Sequence, residues 1–145
     1  TLGMFEPRLK HNTRKIIFII FFIFYLIISG CGGNTGIING GFYKNEQGDF
    51  LSSYYIYDFV SKENVKKHGS QSKYSKGSVT TNFYFSHNGN IPNQELRNTE
   101  NLSEAYKLIG EYSYYIKYVY NIDQLGEIKF VDCSETPKDE FCLDD

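Results

Sequence analysis

Histidine and cysteine are scarce in this chain, and the motifs that put them to chemical use are missing. Among 145 residues there are three His and three Cys. No His-x-x-x-His, His-Glu-x-x-His, Gly-x-Ser-x-Gly or Cys-x-x-Cys occurs, so the usual zinc, serine-hydrolase and dithiol signatures are excluded. Clustered basic residues are also lacking. From residue 31 onward, eleven Lys and Arg face sixteen Asp and Glu. That balance argues against nucleic acid, whose binders need clustered cations to displace counterions. Nor does any apolar run reach the roughly 20 residues that a helix needs to cross a bilayer core. The longest, residues 16–28, has thirteen.

That run is nevertheless the chain's most specific feature. Arg8, Lys10, Arg14 and Lys15 precede it with only Glu6 against them, and Ile28-Ser29-Gly30-Cys31 ends it. A basic region, an apolar stretch of 7–15 residues and then small residues make up a signal peptide. The last four residues resemble the lipobox of bacterial lipoprotein precursors. The resemblance covers residues 8–31. It implies cleavage before Cys31, with Ser29 and Gly30 giving narrow access, and a lipid on the Cys31 thiol. Met4 is a plausible start. The other reading is an uncleaved anchor helix continuing through Ser29 and the glycines, for which a cysteine just after Ser-Gly is not expected.

On the lipoprotein reading, residues 1–30 are a signal peptide, with a helical apolar part. Residues 31–48, rich in Gly and Asn, are a flexible tether with a reach of roughly 25 Å for such a coil. Residues 49–145 are one domain with an acidic C-terminal tail. Gly32 stands where an aspartate signals inner-membrane retention in Gram-negative lipoproteins. The resemblance thus implies an outer-membrane location facing the periplasm, and a lipid bilayer engaged through acylated Cys31.

Periodicity predicts the domain's elements. Tyr54–Val60 is aromatic and β-branched, which reads as a strand. Ser61 caps a short helix, Val60 and Val65 sit at hydrophobic-staple positions, and Gly69 is placed to end it. Ser78–Ser86 alternates, with Val79, Thr81, Phe83 and Phe85 on one face. Asn101-Leu102-Ser103-Glu104 reads as a capping box, opening a helix with Leu102, Ala105, Tyr106 and Ile109 on one side. Tyr112–Tyr120 reads as the clearest strand, and Glu127–Cys133 as the last. The order β-α-β-α-β-β predicts an α+β fold: a small two-layer sandwich of about four strands, with two short helices on one face. The first β-α-β can place its strands parallel. Residues 77–85, Pro92 and Phe130-Val131-Asp132-Cys133 resemble small uncharacterised Gram-negative envelope proteins. That resemblance implies a location and carries no activity.

With Cys31 lipidated, Cys133 and Cys142 remain as a pair. An exported location permits a disulfide between them; a metal or redox role is the alternative, without a nearby histidine to support it. His68, near a helix end, and His87, in a polar loop, have no spacing that marks a site, so no catalytic residue, metal or cofactor is assigned. Twelve of the thirteen tyrosines follow Cys31. They read as core rings with hydroxyls at the rim, or as an exposed contact surface, for which Tyr115 and Tyr84 are the candidates. Two functions follow. One is a non-enzymatic envelope lipoprotein that binds or stabilises an envelope protein or glycan. The other is a small envelope enzyme or ligand-binding module using the Tyr-rich sheet with His68 or His87. A pocket joining a histidine to a carboxylate favours the second.

Overall fold

Phe83, Tyr84 and Phe85 are consecutive, and all three are fully buried. Side chains alternate across a strand, so three buried neighbours require cover on both faces of their sheet. The computed structural model describes residues 35–88 and 94–142 and supplies that cover. Its strands are β1 Ile37–Lys44, β2 Phe50–Ile56, β3 Thr80–Ser86, β4 Ile116–Ile122 and β5 Ile128–Asp132. Three helices accompany them: α1 Lys62–Ser70, α2 Gln94–Arg97 and α3 Leu102–Gly110. The strands lie in the order β1-β2-β3-β4-β5. β2 and β3 run parallel, as the α1 crossover allows, and every other pair is antiparallel.

The fold is α+β, but the layering differs from the two-layer expectation. Phe83 and Phe85 share a core with Leu51, Leu96 of α2, and Ala105 and Ile109 of α3. Tyr84 belongs to a separate core with Ile56, Tyr120 and Val65 of α1. The helices therefore lie on opposite faces, and the central strand is sandwiched. The four-residue α2, which packs against β1, carries too short a pattern to be seen in sequence.

The fifth strand is β1, inside the stretch expected to be a flexible tether. Its Gly- and Asn-rich sequence pairs with β2 from Ile37↔Ile56 to Lys44↔Phe50, with a bulge between Asn39 and Gly41. At the bulge, Ser53 Oγ accepts a hydrogen bond from the Gly41 amide at 3.0 Å, so the backbone stays satisfied. Tyr43 supplies the buried side chain that holds the strand down.

Helix α1 begins as predicted, with Ser61 Oγ accepting from the Asn64 amide at 3.2 Å. Gly69, however, is not a left-handed terminator and lies within the helix. It is needed for close approach, because a Cβ there would sit 2.4 Å from Tyr120 Cγ. Gly69→Ala is expected to lower stability by about 1–3 kcal/mol through overpacking, read as a lower urea midpoint with unchanged m-value. At α3, Asn101 Oδ1 caps the Glu104 amide at 3.0 Å. The Glu104 carboxylate accepts from the Glu100 amide, one residue earlier than a capping box requires.

The predicted strand Tyr112–Tyr120 is cut short. Ser113–Tyr115 forms a 3₁₀ turn, and β4 starts at Ile116. Pairing passes from Tyr84↔Tyr118 to Phe85↔Ile116, so Lys117 is a bulged extra residue. The bulge turns the strand by one face. Ile116 and Val119 are then both buried on the α3 side, where simple alternation would have separated them.

The C-terminal segment is tied back. Cys133 and Cys142 form a disulfide with Cα atoms 5.5 Å apart. Phe141 and Cys142 pack on the core that includes Val131. Lys129 Nζ pairs with Asp139 at 3.0 Å and Glu140 at 3.3 Å.

Candidate functional site

A line of polar side chains runs through the α1 face of the sheet. Ser52 Oγ donates to Asn82 Oδ1 at 2.7 Å, linking β2 to β3. The Asn82 amide donates to Ser72 Oγ at 2.6 Å and to the Tyr84 hydroxyl at 3.4 Å. Tyr84 in turn lies 2.9 Å from His68 Nδ1. Asn82 offers the phenol only a donor, so the Tyr84 proton is directed at Nδ1. That leaves the His68 hydrogen on Nε2. The rings of Tyr54 and Tyr84 stack at 5.3 Å, and Tyr54 meets His68 edge-on at 4.6 Å.

Burial sets the protonation of both ends. Desolvation pushes the Tyr84 phenol above its usual range and the His68 imidazole below its own. Neutral His68 lines a groove of about 300 Å³ with Thr35, Ile37, Asn64, Lys67 and Gln71. Among the described residues no carboxylate lines this groove, so they offer a ligand hydrogen bonding and no acid–base pair.

The coupling has a pH signature. Because the folded pKa of His68 is depressed below the ordinary value of about 6.5, the unfolded chain binds more protons in the interval between the two. Stability is therefore complete above that ordinary value and falls as pH drops through the interval. Thermal melts between roughly pH 7 and pH 5 are expected to show this decline. His68→Gln should flatten it.

A second group gathers where β2 and β3 end. The Asp58 carboxylate lies 3.2 Å from Lys117 Nζ and 3.9 Å from His87 Nδ1. The latter distance is too long for a hydrogen bond. The His87 ring stacks on Tyr57 at 4.9 Å, and Tyr57 stacks on Phe59 at 5.7 Å. The two histidines thus engage different partners. The bulge at Lys117 brings that lysine to Asp58, a contact with no sequence signal.

Of the two tyrosines expected at a contact surface, Tyr84 is fully buried and is removed from that role. Tyr115 is partly buried against the α3-side core, and its neighbour Tyr114 is the exposed ring, at 85%. The 3₁₀ turn exchanges the two. Ile28, Ser29, Gly30 and Cys31 lie outside the described residues. Among the described residues no group of three or more His, Cys, Asp or Glu is arranged to hold a metal, and no helix is long and apolar enough to cross a membrane. Compared with protein-family models, curated proteins and solved structures, the chain matches none.

Proposed function

We propose that this chain is a lipid-anchored envelope protein whose domain acts as a binding or structural module and not as an enzyme. The observation that carries the reading is Ile28-Ser29-Gly30-Cys31 at the end of the thirteen-residue apolar run. On this reading residues 1–30 form the signal peptide with its apolar helix, and Cys31 carries the lipid. The domain stands at the outer membrane, facing the periplasm of a Gram-negative cell. Two features support it. The other cysteines are bonded to each other, which leaves Cys31 as the one thiol for acylation. A disulfide also suits an exported protein better than a cytosolic one. The partner in this reading is an envelope protein or glycan, to be identified by pull-down from native membranes.

Mass spectrometry of protein made in a bacterial host should find an acylated N-terminal Cys31, and Cys31→Ser should abolish both acylation and membrane retention. An intact precursor with a free Cys31 thiol refutes the reading. A ligand-binding role for the His68 groove is the second reading, favoured by a neutral imidazole at the wall of a cavity. Ligand-induced change in the His68 ring NMR signals tests it.

A further inference from the structure

One end of the sheet carries exposed rings beside the point where the chain leaves for Cys31. β1 begins there at Ile37, paired with Ile56 at the end of β2, which is paired with Ser86 at the end of β3. β4 starts at the same end, with Ile116 opposite Phe85. Phe59 follows β2 and is 70% exposed, while Tyr114 precedes β4 and is 85% exposed. Phe59 is seated in place. Its ring stacks on Tyr57 and crosses Gly36, whose φ of +68° and lack of a side chain make room for it. A Cβ on residue 36 would lie 2.6 Å from both Phe59 and Val60.

We infer that this end of the domain rests on the lipid surface, with Phe59 and Tyr114 inserted among the headgroups. The inference builds on the lipoprotein reading and specifies how the anchored domain stands. Gly36 is five residues after Cys31. Five residues in any conformation span at most about 18 Å. Because β1 takes up the chain from Ile37, the long tether that would hold the domain clear of the bilayer does not exist. An acylated Cys31 therefore keeps the Gly36 end close to the headgroup layer. Phe59 packs directly on that residue, and aromatic rings partition well into this layer. Charge at this end is net negative, because one lysine of the two faces a pair of carboxylates. Asp58 is paired with Lys117, and Lys62 spans Asp132 at 2.9 Å and Glu135 at 2.8 Å. The docking is thus aromatic in character and does not depend on anionic lipid. A diacylglyceryl group on Cys31 supplies two acyl chains and anchors stably by itself, so the rings determine how the domain stands and not whether it stays.

The chain has no tryptophan, so one introduced ring reports without background. Phe59→Trp, Tyr114→Trp and Leu125→Trp would each be made in the full chain, purified from bacterial membranes and reconstituted in phosphatidylcholine vesicles. Leu125 is the control, 84% exposed in the β4–β5 turn at the opposite end. The expected result is a blue-shifted emission, quenched by headgroup-proximal brominated lipid, at positions 59 and 114 and not at 125. It should persist in high salt. Acylated protein that floats with the vesicles yet shows water-exposed emission at both 59 and 114 overturns the docking and leaves the lipoprotein reading intact. Equal quenching at 125 overturns the stated orientation. Absence of acylation at Cys31 overturns both. Tyr114→Trp gives the readout independently should Phe59→Trp misfold.

Discussion

Replacing Asn82 with leucine is expected to destabilise the domain by about 2–4 kcal/mol, although the side chain is nearly isosteric and more apolar. Asn82 and Ser52 are both fully buried, on the parallel pair at the centre of the sheet. Leucine strands the Ser52 hydroxyl and takes the amide donor from Ser72 and Tyr84. A buried donor left without a partner bears its whole desolvation penalty, whereas removing both partners can be nearly neutral. The contrast supplies the check. In urea unfolding, Ser52→Ala combined with Asn82→Leu should cost less than the sum of the single variants, with a coupling of roughly 1 kcal/mol or more. Additive losses would show that the two side chains act separately. Against a total stability of about 5–15 kcal/mol, that loss is a substantial fraction.

The same buried polar residues explain why the sheet was only partly legible. Thr81, Phe83 and Phe85 announced one face by alternation, but Thr80, Asn82 and Tyr84 are equally buried on the other. The element order β-α-β-α-β-β with two helices predicts a single covered face, and the polar composition of that second set gives no sign of cover on the other. Parallel strands in a covered sheet lose the polar face on which alternation depends. β1 was missed because its glycines and asparagines carry a loop's composition. Its strand character comes from pairing with β2 and from Tyr43, and both depend on distant residues. Tyr112–Tyr115 erred in the opposite direction. Aromatic content suggested a strand, while the backbone turns there and hands the strand role to Ile116. The helix caps were legible, since Ser61 and Asn101 act within four residues of themselves. The Asp58–Lys117 contact was not, because a bulge in β4 creates it.

Removing the Cys133–Cys142 bond is expected to cost about 2.7 kcal/mol on the loop-closure model, a figure set by the short ring and sensitive to residual structure in the unfolded chain. The bond joins positions nine apart in sequence. Its structural consequence is local at first. Without it, residues 134–142 are held by the exposed pairs of Lys129 with Asp139 and Glu140, by contacts of Phe141, and by a few turn hydrogen bonds. Exposed pairs of this kind are worth about 0–1 kcal/mol, too little to keep the segment closed. Release uncovers the core beside Val131 and leaves β5 as a bare edge next to the exposed Ile128. Cys133→Ala with Cys142→Ala should therefore lower Tm by on the order of 10 °C and make the bond after Lys138 sensitive to trypsin before global unfolding. An unchanged Tm with a protected tail would mean that packing alone holds the segment. Export supplies the internal control. Protein lacking residues 1–30 and retained in a reducing cytosol should melt like the double variant until it is oxidised, and the exported form should not.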